Sequence, residues 1–101
     1  MKLPKILKIG GFIWKVEERD DVTRQSNVWG TTHCHTQTIY LEPNLSEQKK
    51  WQTLLHETLH AVYWQCGLGE DKAIPEEAEE KIIHALSMGM YQVLKDNRFL
   101  R

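Results

Sequence analysis

Proline occurs only three times and cysteine twice in this 101-residue chain, so neither a low-complexity, proline-rich polymer nor a disulfide scaffold is in view. Cys34 and Cys66 can form at most one bridge, and with nothing indicating export they are expected to stay reduced. No apolar run approaches the roughly 18 residues of a membrane span. Met1 to Gly10 carries lysines without a following apolar signal core, which gives the expectation of a cytoplasmic protein. Excess charge is missing too: 13 basic and 14 acidic residues leave a formal net charge of -1, hence no general attraction to nucleic acid or anionic lipid. Internal repeats are absent. What remains, 41% hydrophobic and 27% charged residues, is the composition of one globular domain over 1–101, with room for a single modest core.

The first third reads as extended structure. Lys8 to Glu17 is rich in β-branched and aromatic residues around Gly10-Gly11, which predicts a hairpin or a bent strand. Glu18 to Asn27 lacks an apolar period and is expected to be a surface loop. In Val28 to Leu41 the threonines, Ile39 and Tyr40 favour strand, the better part being Thr36 to Leu41, before Pro43-Asn44 closes it. Ser46 is the predicted N-cap of a helix that runs without glycine or proline to Cys66 and stops at Gly67 and Gly69. Leu55, Leu59 and Val62, flanked by Leu54, Ala61 and Tyr63, are its expected core stripe. A second helix begins after Pro75, with Glu76, Glu77, Glu79 and Glu80 near its positive end, and continues to about Lys95.

Residues 56–60 read His-Glu-Thr-Leu-His. On a helix, four-residue spacing sets both imidazoles on one side, one turn apart, so that two nitrogens can meet one ion. Zinc suits imidazole donors, and Glu57 beside them is positioned to take a proton from an attacking water. A third ligand has to come from elsewhere. Taking 100° per residue, Ile82, Ile83, Leu86, Gly89, Met90 and Val93 form a predicted buried stripe on the second helix, with Glu79 in its middle, Glu80 and Glu76 at its edge and Glu77 pointing away. A carboxylate on a buried stripe is costly unless compensated, so Glu79 is the expected third ligand and Glu80 the alternative.

Other residues invite a role and have a plainer one. On a strand His33 and His35 would face one side and Cys34 the other. They would line a substrate groove, or Cys34 would act as a fourth, inhibiting ligand, against the simpler reading of surface residues. Tyr63, Tyr91 and His84 are candidates to polarise a carbonyl, and His84 is also a minor candidate for third ligand. Trp14, Trp29, Trp51 and Trp64 read as packing or surface residues.

Taken together, the Thr-Ile-Tyr-Leu strand, the run Thr53 to Val62 and the acidic helix resemble a minimal gluzincin, a group with ImmA/IrrE-like metallopeptidases, minigluzincins and small phage-encoded relatives. The similarity spans roughly residues 28 to 95 and is most specific at the HExxH helix. It implies an α+β, zincin-like fold, with a small twisted sheet packed against the HExxH helix and a glutamate-bearing helix. It also implies Zn2+ held by His56, His60 and one of Glu79 or Glu80, and peptide-bond hydrolysis with Glu57 as base. An extended peptide would pair with edge strand 36–41. A phage-encoded relative would work in its host's cytoplasm. The competing expectation is a catalytically silent or latent zinc module that acts through a protein partner, with the Asp96 to Arg101 tail or the His-Cys-His segment filling the cleft.

Overall fold

The structure, a computed structural model, describes residues 2–24 and 27–98. It is an α+β fold whose element order is β1 (Ile6–Ile9), β2 (Phe12–Glu18), α1 (Asp20–Thr23), β3 (Gly30–His33), β4 (Thr38–Leu41), α2 (Glu47–Gln65), a 3-10 turn (Leu68–Glu70) and α3 (Glu76–Asp96). No helix among the described residues is long and apolar enough to cross a membrane.

The Gly10-Gly11 signal produces the β1–β2 hairpin. Both glycines have positive φ (57° and 83°), the pair of values a two-residue hairpin turn compatible with strand twist requires. The sheet order is β1-β2-β4-β3, antiparallel at both ends and parallel between β2 and β4. The segment expected to be a single stretch of strand is instead a β3–β4 hairpin with residues 34–37 in its turn. Strand β4 is paired on both sides, to β2 and to β3, so it is not the edge that the sequence suggested for 36–41. The edge beside α2 is β3.

Alternation along the strands turns one face of the sheet toward α2. Trp14, Ile39 and Leu41 are completely buried, and Ile9, Val16, Leu54 and Ala61 complete the core. Burying each such side chain is worth about 1.5–3 kcal/mol, which makes this face the principal stabilising contact of the domain. Ser46 caps α2 as expected, its Oγ accepting from Lys49 N at 3.2 Å. The turn leading into α2 is fixed by Glu42, which accepts from Thr23 Oγ1 at 2.8 Å and from Asn44 Nδ2 at 3.0 Å. Thr23 lies in the short helix α1 that interrupts the predicted Glu18–Asn27 loop; Gln25 and Ser26 lie outside the described residues.

Helix phases differ from expectation. On α2 the buried residues are Thr53, Leu54, Glu57 and Ala61; Leu55 and Leu59 are half-buried and Val62 is exposed. On α3 only Ile83 and Ser87 are buried, whereas Ile82, Leu86, Met90 and Val93 are exposed. The physical reason is layering. Among the described residues helix α3 packs on α2 alone, while α2 is sandwiched between α3 and the sheet, so α3 has only one narrow covered face.

Candidate metal centre

Three residues of α2 and α3, His56, His60 and Glu80, meet across the helix pair. The side chains of His56 and His60, one turn apart on α2, stack edge to face with ring centroids 4.9 Å apart. Their Nε2 atoms are 3.2 Å apart. Glu80 reaches both from α3, with Oε1 3.0 Å from His56 Nε2 and Oε2 3.0 Å from His60 Nε2.

The outer ring nitrogens are committed elsewhere. His60 Nδ1 lies 2.8 Å from Glu79 Oε2, a carboxylate oxygen that only accepts, so this nitrogen carries the proton. Ser87 Oγ donates to His84 O at 2.9 Å and therefore accepts from His56 Nδ1 at 3.3 Å. With the proton on Nδ1, each ring would turn its Nε2 lone pair inward, beside the Glu80 carboxylate. Three acceptors in one place repel unless a cation joins them. Ligands about 2.0–2.1 Å from a tetrahedral zinc stand about 3.3 Å apart, close to the observed separations. The donor set fits the metal.

This arrangement exchanges the two glutamates relative to the sequence expectation. Among the described residues, the group able to share one ion is His56, His60 and Glu80. Glu79 binds the far side of His60. Neighbouring helical residues are 100° apart, and the α3 stripe that seemed to centre on Glu79 is rotated because Ile82, Leu86 and Val93 face solvent.

Glu57 is buried beside the cluster, 8% exposed, with Oε2 3.9 Å from His56 Nε2. Thr32 Oγ1 on β3 donates to it, at 2.8 Å from Oε1 and 3.0 Å from the Glu57 carbonyl. Burial pushes the Glu57 carboxyl above the ordinary range. The Thr32 hydrogen bond and the charges of His60 and His56 oppose that rise, and Glu80 adds to it.

A cleft of about 430 Å³ opens in front of these groups, walled by Val28, Trp29 and Gly30 from the β3 side, Gln52, His56, Glu57 and His60 from α2, and Glu80 and His84 from α3. Of the three carbonyl-polarising candidates only His84 lines it, its ring centroid 5.9 Å from that of His56; Tyr63 and Tyr91 do not. His84 belongs to the rim rather than to the ligand cluster. The His33-Cys34-His35 segment also stays outside. His33 ends β3 and stacks on Tyr40, His35 packs on Trp64, and Cys34 is half-buried against the core. Burial, and then the Glu79 charge, pushes the Cys34 thiol up, which keeps it neutral. A wider hollow of about 1330 Å³ runs between Lys2–Ile6, Lys15–Arg19 and the start of α2; it contains no histidine, and Lys50 there pairs with Glu18 at 2.6 Å. The Phe99–Arg101 part of the expected tail lies outside the described residues.

The family model described as Peptidase_M78, IrrE N-terminal-like domain, matches residues 16–95. The chain belongs to this family. The match includes β4, the HExxH helix and α3, and so covers His56, Glu57, His60, Glu79 and Glu80. No curated protein and no solved structure matches the chain. Within this IrrE N-terminal-like domain, sequence reasoning missed Thr32 and Ser87. Ser87 had a signal, since it lies one and two turns along α3 from Ile83 and Glu80; Thr32 had none beyond its place in a threonine-rich strand.

Proposed function

We propose that this chain is a gluzincin-type zinc peptidase in which His56, His60 and Glu80 hold the metal and Glu57 is the general base. The observation that carries the reading is the convergence of His56 Nε2, His60 Nε2 and the Glu80 carboxylate oxygens, each ring held from behind by Glu79 or Ser87. A zinc ion bound there would acidify a water and polarise a substrate carbonyl. Glu57 Oε2, facing the cluster, accepts the proton of the attacking water and returns it to the leaving amine. His84, which lines the cleft, would donate a hydrogen bond to the carbonyl oxygen.

The peptide-pairing strand moves from 36–41 to β3. A terminal strand of the sheet, Gly30–His33 pairs with β4 on one side among the described residues, and its outer side, where Gly30 lines the cleft, would receive an extended peptide. An open cleft before three ligands favours an enzyme over a closed structural site, in which a fourth protein ligand would be expected.

The test uses a pool of internally quenched peptides and the zinc-loaded chain. Glu57→Gln is expected to keep one zinc and to lose about 10²-fold or more in turnover. Full turnover in that variant would remove Glu57 from the role of base.

A further inference from the structure

We propose that Gly30 and Thr32 of β3 form a cradle that aims the Glu57 carboxylate, with Thr32 anchoring Oε1 so that Oε2 is the oxygen that moves the proton; this rests on the reading of Glu57 as the base. A glutamate has three side-chain torsions, and a general base acts only from within hydrogen-bond reach of its proton. Something must hold it. The sheet register supplies the means: Thr32 lies opposite Ile39 and Gly30 opposite Leu41, both completely buried residues, so the two β3 positions share the face turned toward α2.

Each does a separate job. Thr32 Oγ1 stands 2.8 Å from Glu57 Oε1, while Oε2 is left facing His56 Nε2 at 3.9 Å. The same hydroxyl lies 3.0 Å from the Glu57 carbonyl, which ties side chain and helix backbone to one point on the strand. At Gly30 a Cβ would come within 3.1 Å of Glu57 Cγ and 2.8 Å of Thr53 Cγ2, with Tyr40 O at 3.2 Å. A Cβ there would displace the Thr53 methyl and press the Glu57 stem by a few tenths of an ångström, so glycine leaves that stem its room beside the strand. Thr32 and Gly30 are thus positioning residues, one fixing an oxygen and the other leaving room for the chain that carries it.

The test reads the carboxylate without turnover. Acetohydroxamate chelates zinc and shares its proton with a neighbouring base, so its affinity for the zinc-loaded full chain depends on where Glu57 points. Titration calorimetry on Thr32→Val is expected to show one zinc retained and acetohydroxamate weakened about tenfold, the scale of a lost hydrogen bond to a charged group. Thr32→Ser is expected to restore binding to within about twofold, since it returns the donor. Glu57→Gln should weaken the probe at least as much as Thr32→Val. Wild-type affinity in Thr32→Val beside a weakened Glu57→Gln would overturn the cradle alone, as would failure of Thr32→Ser to restore binding. Wild-type affinity in Glu57→Gln would overturn the base and the cradle together. Should Thr32→Val not retain zinc, Gly30→Ala carries the test: it keeps the hydroxyl but crowds Glu57 Cγ, and unchanged acetohydroxamate affinity in it would overturn the cradle.

Discussion

Glu57 is held by opposing forces, and their balance has a signature in stability. Burial raises its carboxyl above the unfolded value despite Thr32, His60 and His56. A carboxyl raised in this way favours folding while it is protonated, and that contribution is lost as pH climbs through the raised value. Glutamine does not titrate. In the metal-free chain, Glu57→Gln and wild type are therefore expected to unfold at similar denaturant concentrations in acid, with the variant gaining as pH rises to neutrality. A difference that stays flat or reverses would contradict the burial argument. At this scale the sequence was most informative where chemistry is local: His56, Glu57 and His60 were legible because one helical turn fixes their relation. Glu79 and Glu80 were not separable, because a 100° step between neighbours is decided by which face of α3 the rest of the molecule covers. Thr32 was invisible for a similar reason, since its partner is 25 residues away on another element.

Between elements, α3 is the weakly held member. Among the described residues it packs on α2 alone, buries only Ile83 and Ser87, and also meets α2 through Glu79, Glu80, the His56–His84 ring contact and a contact of Gln52 Nε2 with Met88 Sδ at 3.1 Å. A metal shared by His56, His60 and Glu80 would pin α3 to α2, so its removal should loosen α3 before the sheet. Hydrogen exchange is expected to show α3 amides losing protection when zinc is stripped, with β2 and β4 changed little. Equal loss in sheet and helix, or none in α3, would contradict that hierarchy. The boundaries of α2 and α3 were readable from Ser46, Gly67 and Pro75, which act locally. The buried stripes were misjudged because α3 carries apolar residues on more than one face, and periodicity alone does not say which face finds a partner.

For the whole molecule, the α+β class and the sheet-on-helix layering followed from the order of extended and helical patterns. The order of strands did not. Nothing local to Thr38–Leu41 says that β2 will pair with it in parallel and leave β3 at the edge, since that register depends on Ile39 and Leu41 sharing a buried face with Trp14 and Val16. The strand that borders the cleft and the strand that contacts the Glu57 carboxylate are the same one, which matters for the proposed chemistry. The resemblance seen over roughly 28–95 lies within the family match at 16–95. Everything in the proposed chemistry depends on which side chains grip the ion, and zinc titration of the wild type, Glu80→Gln and Glu79→Gln measures that directly. The account expects one zinc per wild-type chain, affinity in Glu79→Gln reduced about 10–100-fold through the loss of a partner behind His60, and a much larger loss in Glu80→Gln. A chain that binds no zinc, or one that tolerates Glu80→Gln better than Glu79→Gln, would contradict it.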